Sequence, residues 1–259
     1  MTIQNIAQNQ MSPAFQRVAS GQRVNSAADD AAGLAIVESM TAQIQGLDQG
    51  TRNTMDMQAL ATTAEGGLAT MADSMQRIRE LSVQASNGTL NDSQRAMIQE
   101  EIGQLAQGLQ ATVQNTEFNT MNLLDGSAQD GLNTASSADG TGMTLAINDM
   151  SSLAQAITSF NVTGDFDIGE LDAAIAEVNS ERANLGAAIN VFDYTASANT
   201  ISSLNLSDSR SRIADADIAQ EMMAINQERV ITEMQLLMQQ QEQEQIQQQN
   251  QIVAGVTGA

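Results

Sequence analysis

The chain has 259 residues, with 31 Asp and Glu against ten basic residues, for a formal charge of −21. All ten bases are Arg, and the sequence contains no Lys, His, Cys or Trp. A field of that sign repels nucleic acid and anionic lipid, and the missing residue types exclude disulfides, Cys–His and Ser–His catalytic pairs, and a Walker-type phosphate loop.

Only five Phe and one Tyr contribute aromatic volume. Aromatic rings dominate burial in thick cores, so the composition favours long helices joined by thin apolar seams. No run of about 18 apolar residues occurs, so no membrane-spanning helix is predicted. The opening MTIQNIAQNQ has neither a basic region nor an apolar stretch of the kind a cleaved signal carries.

In chain order, apolar residues at 4,3 spacing first predict a helix from about Leu34 to Ala85. Val37, Met40, Ile44 and Leu47 form one part of its seam, and Ala64, Leu68, Met71, Met75 and Ile78 the other. Gly66-Gly67 between them predicts either a bend or a close approach. Asn87-Gly88 stops the helix. Asn91 or Asp92 then caps a second one, with Ile98, Ile102, Leu105 and Leu109 on one face.

Residues 116–169 change character, being rich in Gly, Asn, Asp, Ser and Thr. MTLAI (Met143 to Ile147) and FNVTG (Phe160 to Gly164) read as strands of one or two weak hairpins, with a short helix around Ser151 to Ile157. A third long helix starts near Ile168, with Leu171, Ile175, Val178, Leu185, Ile189, Phe192 and Ala196 in its seam. Arg182 interrupts that seam, as a register device or a side chain reaching outward. The C-terminal segment repeats the period at Ile218, Met222, Ile225 and at Val230, Met234, Leu237. Nine Gln then fall in the thirteen residues from Gln239 to Gln251. A tract of that kind holds a helix only if a partner covers one face.

The resulting fold class is mainly α: an elongated antiparallel helical bundle with a small β-hairpin region in its middle. The carboxylate pairs Asp29-Asp30 and Glu100-Glu101 read as solvated groups rather than catalytic ones. Asp29-Asp30 lies just before an apolar-periodic helix, where unpaired N–H groups favour carboxylates. No cofactor or metal is expected, and no enzyme.

SGQRVNSAADDAAGLAI (Ser20 to Ile36) resembles the N-terminal signature of bacterial flagellins. MQRIRELSVQASNGTLND (Met75 to Asp92) and NTEFNTMNLLDG (Asn115 to Gly126) are similar to that family's helix end and its entry into the β region. SERANLGAAIN (Ser180 to Asn190) and SRSRIADADIAQEM (Ser209 to Met222) resemble its C-terminal half. The resemblance implies a filament subunit with residues 1–33 and 212–259 as inner-tube segments and 34–211 as a helical rod. The short segment before Gly21 and the Gln-rich end depart from the family pattern.

The resemblance further implies a homopolymer exported by the flagellar type III route, without a cleaved signal, to the extracellular flagellum. The partners it implies are the export apparatus and its chaperone, and the filament cap and junction proteins. A host toll-like receptor is implied as well, through Arg77, Leu81 and Glu101. Subunit contacts are expected at Arg23, Asp29, Asp30, Arg210, Arg212, Asp215 and Asp217; Arg210 and Arg212, close to Asp215 and Asp217, read either as interface ion pairs or, by default, as a solvated charged patch. The competing readings are a hook–filament junction protein, which shares the terminal helices, and a helical signalling hairpin, which leaves the β-like centre unexplained.

Overall fold

A computed structural model describes residues 13–257, with side chains as far as Gln249. The elements are α1 (Pro13–Ser20), α2 (Ala27–Ala85), α3 (Asp92–Asn115), β1 (Glu117–Phe118), β2 (Met121–Asn122), β3 (Leu132–Ala135), β4 (Gly142–Leu145), α4 (Ser151–Thr158), α5 (Ile168–Ala214) and α6 (Ile218–Thr257). The chain divides into two compact units, one spanning Ala42–Asn205 and the other formed by the described residues up to Thr41 with those from Leu206 onward.

In the Ala42–Asn205 unit the 4,3 period of α2 is the core. Ala64, Leu68, Met71, Met75 and Ile78 are all fully buried. They meet Ile102 and Leu109 of α3, and Leu171, Val178 and Leu185 of α5, in one hydrophobic cluster. The expected Leu105 is only half-buried, and Ala106 takes its place in the seam. Asn91 caps α3 in a reciprocal box, its side chain accepting from Gln94 N at 2.9 Å while the Gln94 side chain accepts from Asn91 N at 3.0 Å.

The Gly66-Gly67 pair resolves toward close approach. The helix runs through both positions, and a Cβ on Gly67 would sit 2.6 Å from Thr116 Oγ1 and 3.1 Å from Leu124 Cδ1. A second such contact holds the β3–β4 hairpin against α2. A Cβ on Gly50 would lie 2.4 Å from the Ser136 carbonyl oxygen and 2.7 Å from its carbon. Around this contact Asn53 Nδ2 donates to Ala135 O at 2.9 Å, and Asn199 Nδ2 donates to Ser136 O at 2.6 Å. Because the obstacle is backbone, Gly50→Ala is expected to destabilise the unit by about 1–3 kcal/mol, the usual range for forced overpacking. A urea titration followed by circular dichroism checks this, and an unchanged midpoint would contradict the contact.

The β region holds two antiparallel hairpins, β1–β2 and β3–β4. The first turns through Asn119 and Thr120, both at positive φ (49° and 64°), as a two-residue type I′ turn requires. MTLAI contributes β4 as expected, but Phe160 to Gly164 is not a strand. Phe160 and Val162 are buried there because one side chain replaces a sheet partner. Gln99 donates through Nε2 to Phe160 O at 3.0 Å and accepts from Val162 N at 2.8 Å.

In the other unit, Pro13 occupies the first helical position of α1, where its missing N–H costs nothing. Gly21 ends the helix at φ 69°. Helix α2 starts at Ala27, earlier than the period suggests, with a break at Asp30 (φ −161°, ψ 95°). Helix α1 packs on α6 with Ala14 buried.

Candidate functional site

The expected contact residues of the terminal unit gather around two linkers that pair with each other. Arg23 N donates to Ala214 O at 2.6 Å, and Ala216 N donates to Gly21 O at 3.0 Å. The Arg23 guanidinium adds a bond from Nη2 to Ile213 O at 2.7 Å. Arg23 is thereby fixed by carbonyls at the C-terminal end of α5 rather than by a carboxylate.

Asp29 and Asp30 act on backbone. Asp29 Oδ2 accepts from Ser26 Oγ and N, both at 2.9 Å, and from Asn25 N at 3.2 Å. The Ser26 hydroxyl first, and then these N–H groups, hold its carboxyl below the ordinary aspartate range. Asp30 Oδ1 accepts from Gly33 N at 2.8 Å, so Asp30 caps the turn that follows the helix break. The adjacent acids are two successive caps.

Within the subunit, Asp215 and Asp217 bind groups other than the guanidinium groups of Arg210 and Arg212. Asp217 caps α6, its Oδ1 accepting from Ala219 N at 3.0 Å and Gln220 N at 3.2 Å, and Asp215 accepts from Ser211 Oγ. A carboxylate at a helix start finds fixed N–H donors at lower entropic cost than a mobile Arg side chain. The ion pair that joins α1 to α6 is instead Arg17–Glu221, at 3.2 Å. It links residues 204 apart in sequence, a separation no local period reveals.

In the Ala42–Asn205 unit Arg77 donates through Nη2 and Nε to Glu101 Oε1 at 2.9 and 3.2 Å, and through Nη1 to Glu80 Oε2 at 3.1 Å. Both Arg77 and Glu101 remain about half exposed. Leu81, by contrast, is 2% exposed and belongs to the buried seam of α2. Of the three expected receptor residues, two therefore share a surface and the third is buried in the core. Nearby, Arg79 binds Asp172 across to α5, and this bond keeps the Asp172 carboxyl below the ordinary range.

One buried charged residue of the same unit escapes sequence reading. Glu181 is 2% exposed and accepts from Asn148 Nδ2 at 2.8 Å and Asn148 N at 3.2 Å, tying the β region to α5. Its neighbour Arg182, which the sequence period places in the seam, turns outward to Glu65 at 2.9 Å. The buried charge thus sits one residue away from the position where periodicity flags an anomaly.

The apolar surface divides unevenly. Helix α6 leaves Met222, Met223, Val230, Ile231, Met234, Leu236, Leu237 and Met238 between 43% and 71% exposed. Helix α5 adds Tyr194, Ile201 and Leu204, each at least 60% exposed. A helix apolar over so wide an arc belongs among several neighbours rather than in water.

The bacterial flagellin N-terminal helical region matches residues 1–129, and the bacterial flagellin C-terminal helical region matches residues 168–253. A flagellin of Halalkalibacterium halodurans is 36% identical over 234 residues, which cover 87% of this chain and 85% of that protein. The flagellar filament 33 kDa core protein of Treponema phagedenis is 32% identical over 239 residues, covering 85% of this chain and 84% of that protein. The crystal structure of Bacillus cereus flagellin superposes with a TM-score of 0.51 at 31% identity, over 57% of this chain and 88% of that one. With both terminal helical regions matched and the relatives covered over most of their length, the chain belongs to the bacterial flagellin family.

Proposed function

We infer that this chain is a structural subunit that polymerises with copies of itself into the bacterial flagellar filament. The observation that carries the reading is the apolar arc of α6, exposed in the single subunit along a helix of 40 residues. The terminal segments, residues 1–33 and 212–259, serve as the inner tube of the polymer, and 34–211 form the rod outside it. The subunit acts through contacts and not through catalysis.

Assembly is expected to depend on salt. At 0.01 M ionic strength repulsion between charges reaches about 30 Å, and at 0.1 M about 10 Å. With a charge of −21, monomers stay apart in the first condition and form fibres in the second. Electron microscopy across that range, with seeds added, tests the reading. Protein that stays monomeric at every salt concentration would overturn it.

The family also supports export by the flagellar type III route to the extracellular flagellum. It likewise supports contact with the export chaperone, with the filament cap and junction proteins, and with a host toll-like receptor. For the receptor, Arg77 and Glu101 supply a donor fork and an acceptor at the surface, while Leu81 belongs to the buried seam of α2. Arg77→Ala is expected to weaken binding of the monomer to the receptor ectodomain by about 2 kcal/mol, the scale of an interface hot spot. Titration calorimetry of wild type and variant checks this; equal affinities would remove Arg77 from the contact.

A further inference from the structure

The chain contains a single Asn-Gly pair, Asn87-Gly88, in the connector between α2 and α3. Asn87, Gly88 and Thr89 are all exposed. The Asn87 side chain folds back over the next peptide unit, its Oδ1 accepting from Thr89 N at 3.1 Å and from Thr89 Oγ1 at 2.9 Å. Gly88 N, between them in sequence, donates to no group among the described residues. A Cβ at Gly88 would meet nothing within 4 Å, so the peptide has room to rotate.

A second turn of the same build supplies an internal comparison. Asn161 Oδ1 accepts from Thr163 N at 2.8 Å and from Thr163 Oγ1 at 2.7 Å. There the intervening residue is Val162, which is fully buried, and its N donates to Gln99 Oε1 at 2.8 Å. The two Asn side chains are held alike. Of the two, only Asn87 has a neighbouring backbone nitrogen that is both free and unhindered.

We propose that Asn87 is a self-modifying site, converted by its own chain and water to isoaspartate and aspartate. Hydroxide removes the Gly88 amide proton, and the nitrogen forms a bond to Asn87 Cγ. Oδ1 becomes an oxyanion, and the N–H and hydroxyl of Thr89 already point at it. The Cγ–Nδ2 bond then breaks, and Nδ2 takes a proton from water and leaves as ammonia. Water opens the resulting five-membered imide at either carbonyl. Opening at the backbone carbonyl gives isoaspartate, and opening at Cγ gives aspartate. The net change is one water consumed and one ammonia released, with no oxidant or cofactor.

Isoaspartate routes the backbone through Cγ. It adds one methylene between α2 and Leu90, which packs against the hydrophobic core. The Asn87 carbonyl that accepts from Leu90 N at 3.1 Å becomes part of a carboxylate. That carboxylate lies just past the C-terminal end of α2, where the helix dipole disfavours negative charge. The change is spontaneous and irreversible, so it marks the age of the subunit. It is independent of the filament reading.

The test incubates the full chain as low-salt monomers in mildly alkaline buffer and maps its peptides by mass spectrometry. Isoaspartate is counted by enzymatic methylation. Asn87 is expected to convert before every other Asn and about 10-fold or more faster than Asn161, because reaction requires a near-attack geometry that a bound nitrogen cannot reach. Thr89→Val is expected to slow Asn87 by about 10-fold, the worth of one hydrogen bond to a developing charge. Thr89→Ser keeps the hydroxyl and is expected to keep the rate. All three residues are exposed, and circular dichroism of each variant verifies that the fold is kept. Equal rates at Asn87 and Asn161 would overturn the proposal. Aspartate without isoaspartate would overturn it as well, because direct hydrolysis needs no attack by Gly88. Thr89→Val reacting as fast as Thr89→Ser would remove Thr89 from the step and overturn the geometric argument.

Discussion

Val230→Asp/Leu237→Asp is expected to suppress fibre growth while leaving the Ala42–Asn205 unit as stable as before. In the subunit these side chains are 52% and 59% exposed, so they contribute little to its own folding. In the polymer both would be covered. Fully burying a Val or Leu side chain stabilises by about 1.5–3 kcal/mol, and half of that surface is still available here. The loss of that burial, together with the desolvation of two added carboxylates, comes to about 3–5 kcal/mol per subunit. At about 1.4 kcal/mol per tenfold, the assembly threshold rises at least 100-fold. Sedimentation of seeded protein at moderate salt measures the threshold, and thermal unfolding of the monomer supplies the control. Fibres forming at the wild-type concentration would mean that this part of α6 faces water in the assembly.

The second large effect lies in the subunit core. Leu68→Ala is expected to destabilise the Ala42–Asn205 unit by about 3–5 kcal/mol, the range for truncating a large buried aliphatic side chain that cannot collapse. Leu68 is fully buried within the same hydrophobic cluster as Leu124. The close approach at Gly67 keeps the surrounding backbone from closing over the void. Urea unfolding followed by helical circular dichroism measures the loss. Met97→Ala on α3, where the side chain is 64% exposed, is expected to stay within about 0.5 kcal/mol. Similar shifts for both variants would show that the α2 seam is not the centre of the core.

The two effects separate what holds one subunit together from what joins it to others. The α2, α3 and α5 seams meet inside the Ala42–Asn205 unit. The seam of α6 continues with the same period but has too few partners within the described residues to cover it. On the proposed assembly, the same kind of apolar pattern serves folding in one helix and subunit contact in another.

Local physics was legible in the sequence wherever a short-range rule decides the outcome. The 4,3 spacing of Ala64, Leu68, Met71, Met75 and Ile78 located the core, because a helix brings such residues onto one face whatever surrounds it. Asn91 capped α3 and Ile168 began α5 for equally local reasons. Flagellin membership was legible too, in five ordered segments. The tertiary structure decided whatever depends on residues distant in the chain. Gly67 became a contact point and not a bend because Thr116 and Leu124 lie against it. Phe160 to Gly164 remained a loop because Gln99 satisfies its backbone. Arg17 found Glu221, while Asp215 and Asp217 turned to a hydroxyl and to backbone N–H groups. Sequence period gives the direction a side chain points from its own helix; which donor or acceptor waits there is set only when the helices pack.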